Sequence, residues 1–178
     1  PGDFLTAFYI HVDYLRSIKE GMPSRVGGAA DLGFAKKARN YAAAMNVPLS
    51  FIEKRRMGND AKAQALTLIG DVYDRDAIIV DDEVDTGGSI AQVVNLVKDN
   101  GARNVYVIFV HPVLSLNAAD RLAALPVTEY IATDTIPIPQ EKRALFGDRL
   151  RILSVAPLLG EVIRRANEGR SVGELFNE

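Results

Sequence analysis

The chain has 178 residues, 48% of them apolar and 25% charged, which suits one ordinary globular domain with a hydrophobic core. Its formal net charge of -2 gives no reason to expect a general nucleic-acid or membrane surface. The absence of cysteine excludes disulfides and thiolate chemistry and suits the cytoplasm, and no apolar run reaches the ~20 residues of a membrane span.

Apolar runs of strand length alternate along the chain with segments that have helical spacing. Residues 90–100, for example, place Ile90, Val93, Val94 and Val97 on one helical face. Strands that are apolar throughout and separated by helices predict an α/β domain, with a parallel sheet covered by helices on both faces. The predicted strands are 49–52, 65–69, 77–80, 105–110, 129–132 and 151–155, and the predicted helices are 33–45, 90–100, 117–125 and 156–167.

The first part of the chain has a less regular pattern. Residues 1–24 are interpreted as a lead-in segment, and residues 25–178 as the folded domain. The run 24–28 resembles a strand, but its two glycines should weaken it.

The most informative stretch is 78–90 (IIVDDEVDTGGSI), in which an apolar strand runs into acidic residues and then a helix. Ligands of parallel α/β sheets bind beyond the carboxyl ends of the strands. Two adjacent glycines allow successive backbone N–H groups to point inward, and the helix that follows adds its own free N–H groups and positive dipole end. The stretch therefore predicts an anion site.

The chemistry of this stretch suits a sugar phosphate. Thr86 and Ser89 add hydroxyl donors for a phosphate, whereas Asp81 and Asp82 would repel it and instead suit the hydroxyls of a ribose. Helix capping and an ordinary turn are the alternative explanation for the same residues. The predicted ribose 5-phosphate ligands are Asp81, Asp82, Asp85, Thr86, Gly87, Gly88 and Ser89.

These motifs resemble those of the ribose-phosphate pyrophosphokinase family, which has the type I phosphoribosyltransferase fold. VDDEVDTGG resembles the ribose-phosphate loop of that fold, and the family's further motifs are matched by FIEKRR at 51–56, TDTIP at 133–137 and LSVAPL at 153–158. The resemblance runs from about residue 12 onward and covers the C-terminal half of the family's two-domain subunit, so the family's N-terminal domain is absent from this sequence.

The resemblance implies a reaction and a set of roles. The family uses Mg²⁺ to transfer diphosphate from ATP to ribose 5-phosphate, giving phosphoribosyl pyrophosphate and AMP, and it forms homo-oligomers. By the same resemblance, Lys54 and Arg56 close over the phosphates, on a loop at 54–60 between two strands, and Asp31 is a magnesium ligand. The chain departs from the family where Leu116 follows Ser115 in place of a small residue.

Two other functions remain open. A base phosphoribosyltransferase would use the same loop but consume phosphoribosyl pyrophosphate. A non-catalytic, regulatory or truncated half-subunit would bind ligands without turnover, and the short chain favours that alternative. Either way, the expected partners are small phosphorylated molecules and further protein subunits, with no nucleic acid and no membrane.

Overall fold

The computed structural model describes residues 5–18, 25–29, 35–56 and 64–175. The strands are β1 (Arg25–Ala29), β2 (Leu49–Arg56), β3 (Gln64–Ile69), β4 (Asp76–Glu83), β5 (Asn104–His111), β6 (Glu129–Thr133) and β7 (Leu150–Leu153). The helices are α1 (Phe8–Ser17), α2 (Ala35–Met45), α3 (Gly88–Asp99), α4 (Ala118–Ala123), α5 (Gln140–Phe146) and α6 (Ala156–Asn167). None of these helices is long and apolar enough to cross a membrane.

The strands form a seven-stranded sheet in the order β3-β2-β1-β4-β5-β6-β7. All neighbours are parallel except β2 and β3, which form an antiparallel pair at one edge. Successive residues of β4 enter different cores, because side chains alternate along a strand. Ile79 packs in a core with α3 and α4, whereas Ile78 and Val80 pack on the opposite face with α1 and α2. The predicted α/β architecture, with helices on both faces, is confirmed.

Two strands are longer than the sequence pattern predicts, and both extensions carry predicted site residues. β4 continues to Glu83 because Asp81 and Glu83 still pair with Phe109 and His111 of β5. β2 continues to Arg56 in pairing with β3. The prediction of a loop over 54–60 was therefore wrong for residues 54–56, which are part of the sheet.

The lead-in segment contains a helix that the sequence pattern did not identify. Val12 and Leu15 of α1 are buried against α2 and the sheet. His11 is also fully buried, and its Nδ1 lies 2.8 Å from the hydroxyl of Tyr41 on α2. α1 is therefore packed against α2 and the sheet as one of the helices of the fold.

The strand order reverses between β1 and β4. The chain proceeds from β1 through β2 to β3 on one side, then returns to place β4 on the other side of β1. In open α/β sheets such a reversal opens a crevice at the carboxyl ends of the two strands, which is where ligands bind. The acidic end of β4 lies at this crevice.

Candidate ribose-phosphate site

The loop between β4 and α3 forms a concave backbone cradle. Gly87 has φ 71°, in the left-handed region, and directly precedes α3. Among the described residues no side chain caps this helix, so its first backbone N–H groups are available for an anion, which the positive end of the helix dipole also favours. The cradle encloses a cavity of about 190 Å³, which is large enough for a phosphate group.

Six of the seven predicted ribose 5-phosphate ligands line this one cavity: Asp81, Asp85, Thr86, Gly87, Gly88 and Ser89. Asp82 is the exception, because it is exposed and lies outside the lining. Glu83 lines the cavity in its place and was not among the predicted ligands. The site therefore has an acidic wall at the end of β4 and a backbone wall at the start of α3.

Gly87 is required at its position for two reasons. An L side chain rarely adopts a φ of 71°. In addition, a β-carbon at this position would lie 3.2 Å from both Cγ and Cδ2 of the fully buried Leu122 on α4. Gly88 differs, because the nearest atoms to an added β-carbon are 3.8 and 3.9 Å away, an ordinary contact distance. The bend of the cradle therefore rests on Gly87.

Arg121 braces the cradle from outside, and the sequence pattern did not identify it. Its Nη1 donates a hydrogen bond to the backbone carbonyl of Thr86, and its Nη2 lies 3.4 Å from Oδ1 of Asn117. This guanidinium fixes the peptide that precedes Gly87 and brings a positive charge to a cavity that has carboxylates on its other wall. Arg121 lies 35 residues beyond Thr86, so no local motif could reveal it.

The loop after β5 holds the other side of the cradle. The backbone N–H of Leu114 donates to the carbonyl of Val84, and that of Ser115 donates to the carbonyl of Asp85. Lys142 of α5 in turn donates to the carbonyl of Leu114 at 2.7 Å. Leu114 and Leu116 both have positive φ, 48° and 52°, so this loop holds two non-glycine residues in a strained conformation beside the cavity.

The carboxylates of Asp81 and Asp82, at the acidic end of β4, are each held by a hydrogen bond from the next backbone N–H. Oδ1 of Asp81 accepts a hydrogen bond from the N–H of Asp82 at 2.9 Å, and Oδ1 of Asp82 accepts from the N–H of Glu83 at the same distance. These contacts orient each carboxylate along the strand edge. A carboxylate accepts several hydrogen bonds at once, so Asp81 can still accept from a sugar hydroxyl.

The remaining predicted residues are not brought to this cavity by the described structure. Lys54 and Arg56 lie in β2, where they pair with Leu66 and Gln64. Asp31, the predicted magnesium ligand, falls outside the described residues. Among the residues that the structure describes, no group of three or more His, Cys, Asp or Glu side chains could hold a metal ion.

Comparison with known proteins identifies the family. The family described as "Phosphoribosyl synthetase-associated domain" matches residues 54–177. The chain belongs to this phosphoribosyl synthetase family. It is 39% identical over 180 residues to the ribose-phosphate pyrophosphokinase of Bifidobacterium longum, and 42% identical over 146 residues to that of Caldanaerobacter subterraneus. These matches cover 99% and 82% of this chain.

A solved phosphoribosyl synthetase has the same fold. The phosphoribosylpyrophosphate synthetase of Mycobacterium smegmatis superimposes with a TM-score of 0.84 over 94% of this chain, at 35% identity. The predicted type I phosphoribosyltransferase fold and the resemblance to the C-terminal half of the family are thereby confirmed. The chain spans about half the length of its relatives: 52% of the Bifidobacterium longum protein, 45% of the Caldanaerobacter subterraneus protein and 52% of the solved structure.

Proposed function

We propose that this chain is the sugar-phosphate-binding half of a cytoplasmic ribose-phosphate pyrophosphokinase, and that in the complete enzyme it takes part in the transfer of diphosphate from ATP to ribose 5-phosphate. One observation carries the proposal: Gly87, at the start of α3, forms a backbone cradle directly beside the acidic end of β4. This juxtaposition of backbone donors and carboxylates supports adjacent subsites for phosphate and ribose, in a chain that belongs to the phosphoribosyl synthetase family.

Each wall of the cavity has its own task. The backbone and hydroxyls of residues 85–89 hold the 5-phosphate, because this wall presents donors at a helix N-terminus. Asp81 accepts hydrogen bonds from the ribose hydroxyls, with Asp82 beside it on the strand edge.

In the proposed reaction, the anomeric oxygen forms a bond to the β-phosphorus of ATP. The bond between that phosphorus and the oxygen bridging to the α-phosphorus breaks, AMP leaves, and the anomeric hydroxyl loses its proton. Mg²⁺ would accompany ATP and neutralise phosphate charge, and a carboxylate such as that of Asp31 is a suitable oxygen ligand. Lys54 and Arg56 would stabilise the charge that develops on the transferred group.

A binding-only half-subunit is the second candidate, and the length of the chain favours it. The chain spans about half of its relatives, and a site for ATP is not evident among the described residues. We expect the 178-residue chain alone to release little or no AMP from ATP and ribose 5-phosphate. Adding the other half of a relative, fused or as a separate chain, should restore AMP release, and robust turnover by the chain alone would contradict this.

Titration calorimetry tests the sugar-phosphate site directly. The chain should bind ribose 5-phosphate, whereas ribose and inorganic phosphate should each bind more weakly because each fills one subsite. Gly87→Val should reduce the affinity for ribose 5-phosphate at least tenfold, which corresponds to about 1.4 kcal/mol of binding free energy. Valine rarely adopts the required φ, and its β-carbon would lie too close to Leu122. Gly160→Val is the matched control, since an added β-carbon there meets nothing within 4 Å. No binding by the unmodified chain would refute the site.

A further inference from the structure

One backbone segment joins the two walls of the ribose-phosphate cavity. Val84 lies between the acidic end of β4 and the cradle at residues 85–89, and both of its backbone polar groups are engaged. Its N–H donates to the carbonyl of His111 at 3.0 Å, and its carbonyl accepts from the N–H of Leu114 at 2.9 Å. The contacts that hold Val84 therefore determine how far the phosphate wall lies from the acidic wall.

Residues 111–115, which we call the clamp, include an unfavourable backbone conformation. Leu114 has φ 48°, which an L residue adopts only at a cost, and its side chain is 1% exposed. The next residue, Ser115, donates its N–H to the carbonyl of Asp85 at 3.0 Å. A strained conformation persists only where the surrounding structure holds it. The position of the clamp therefore depends on what contacts Leu114 from its other side.

Lys142 of α5 makes that contact. Its Nζ donates a hydrogen bond to the carbonyl of Leu114 at 2.7 Å, and the residue is half-buried. A hydrogen bond from a charged donor is stronger than one from a neutral donor, and partial burial limits the competition from water. Leu114 is thereby held on both sides, because its N–H donates to Val84 and its carbonyl accepts from Lys142.

The helix that carries Lys142 is anchored to the body of the fold. Phe146, its last residue, is buried and packs against the ring of Tyr130 in β6, with the ring centroids 5.1 Å apart. Arg143 donates to the carbonyl of Ile138, just before the helix, at 2.7 Å. Lys142 therefore connects the clamp to a helix that is packed against the sheet.

We propose that Lys142 is a positioning residue, which sets the spacing between the phosphate cradle and the acidic wall by holding the clamp at Leu114. This rests on the proposed function, because it assigns the two walls to the phosphate and the ribose of one ligand. Two subsites reinforce each other only when their separation matches that of the two groups they bind. Loss of Lys142 should therefore weaken the binding of ribose 5-phosphate, which spans both subsites, and spare a ligand that fills the cradle alone.

Lys142→Met tests the proposal, because methionine keeps the apolar stem of lysine but has no donor for the Leu114 carbonyl. Calorimetry should find that the variant binds ribose 5-phosphate about tenfold more weakly than the unmodified chain. The affinity for inorganic phosphate, followed by NMR at the backbone amide of Gly88, should change less than about twofold. In the ligand-free variant, the amides of Leu114 and Ser115 should exchange hydrogen at least about tenfold faster, because the clamp opens more readily.

Lys98→Met is the matched control. Lys98 also donates to backbone carbonyls, those of Ala102 and Arg103 at 2.9 Å, but neither of these residues lines the cavity. The same substitution at Lys98 should leave both the affinity for ribose 5-phosphate and the exchange of the clamp amides unchanged. Lys142→Gln, whose shorter side chain cannot span the same distance, should reproduce the pattern of Lys142→Met. Circular dichroism of each variant establishes that the domain is folded.

Several results would overturn the proposal. Equal weakening of ribose 5-phosphate and inorganic phosphate by Lys142→Met would mean that Lys142 acts on the cradle itself or on general stability. Unchanged exchange of the clamp amides would mean that burial of Leu114 holds the clamp without Lys142, and equal effects of Lys98→Met would assign them to the loss of any lysine charge. Failure of the unmodified chain to bind ribose 5-phosphate would remove the proposed function together with this proposal, whereas binding that Lys142→Met leaves intact would overturn this proposal alone.

Discussion

The loop after β5 holds one exposed leucine, Leu116, in a backbone conformation that favours glycine. Leu116 has φ 52° and its side chain is 85% exposed, so it occupies a position suited to glycine without contributing to the core. Its neighbour Ser115 donates a hydrogen bond to the carbonyl of Asp85 in the cradle. A glycine at this position would avoid the strain that Leu116 brings to the loop.

Leu116→Gly should stabilise the folded chain. Relief of the left-handed conformation contributes about 1–2 kcal/mol, from which the greater freedom of glycine in the unfolded state subtracts roughly 0.5–1 kcal/mol. The net expected gain is about 0.5–1 kcal/mol by urea denaturation. Leu145→Gly, the same change at an exposed leucine inside α5, should instead lower stability. A loss of stability in Leu116→Gly would mean that its side chain makes a contact worth more than the strain.

Arg121 provides a test of how the cradle is held. Arg121→Met should weaken ribose 5-phosphate binding about tenfold, because it removes a positive charge and the hydrogen bond that fixes the Thr86 carbonyl. Arg121→Lys should retain part of the affinity, because lysine keeps the positive charge but cannot make the two hydrogen bonds of the planar guanidinium.

The matched control for Arg121 is Arg143→Met. Arg143 also donates to a backbone carbonyl, that of Ile138 at 2.7 Å, but Ile138 does not line the cavity, whereas Thr86 does. If calorimetry finds that both methionine variants weaken binding equally, Arg121 acts only through general stability.

The sequence predicts which residues lie together where they are contiguous. Residues 85–89 could be grouped because one strand end, one turn and one helix start follow one another, so their relative positions are fixed locally. Arg121, Leu122 and Ser115 could not, because tertiary packing brings them to the cradle from beyond the next strand. Glu83 was missed because the extent of β4 depends on its pairing with β5.

At the scale of elements, the greater length of β2 places Lys54 and Arg56 in the sheet instead of in a loop. Lys54 and Arg56 are fixed in a ladder with β3 through Leu66 and Gln64, and only the residues beyond Arg56 can belong to a connecting loop. Apolar periodicity failed here because the charged run EKRR interrupts the pattern while the backbone pairing continues. The proposed phosphate role of these two residues stays a prediction.

In a complete enzyme, Lys54→Ala and Arg56→Ala should each lower kcat about 10²–10³-fold, roughly 3–4 kcal/mol, with a smaller effect on KM. The reason is that charge on the transferred phosphoryl group is stabilised more in the transition state than in the ground state. Arg55→Ala is the matched control and should have much less effect. Steady-state kinetics in which Arg55→Ala is the most damaged variant would contradict the assignment.

The helix α1 introduces a dependence of stability on pH. Burial lowers the pKa of His11 from 6.5 to about 4. Within the described structure, its Nε2 has no hydrogen-bond partner. Between about pH 6.5 and pH 4 the unfolded chain binds a proton at this residue and the folded chain does not. Stability should therefore fall as the pH falls through this window, by an amount on the order of 3 kcal/mol.

Urea denaturation at several pH values measures this effect. His11→Gln should reduce stability at pH 7 but flatten its decline toward pH 4, because glutamine does not titrate. His111→Gln, at the exposed histidine, should keep the decline. An equally steep decline in His11→Gln would assign the effect to other groups.

At the scale of the molecule, the general architecture could be inferred because most strands and helices carry their own periodicity. The alternation of apolar strands and amphipathic helices predicted a covered parallel sheet, and the two cores on its faces agree. The strand order and the antiparallel edge could not be read from the same pattern, because they depend on which strands meet. The glycine-containing β1 lies next to β4 near the middle of the sheet, where neighbours on both sides compensate for its weak intrinsic preference.

The placement of β1 between β2 and β4 also constrains how the chain can fold. Arg25 pairs with Asp76, roughly fifty residues later, so the centre of the sheet closes only after a long stretch of chain has been ordered. During synthesis, one edge of β1 stays open until β4 has left the ribosome. We expect Ile79→Val in β4 to slow refolding, and Ile152→Val in the edge strand β7 mainly to speed unfolding. Stopped-flow kinetics with the reverse pattern would place the folding nucleus at the β7 side of the sheet.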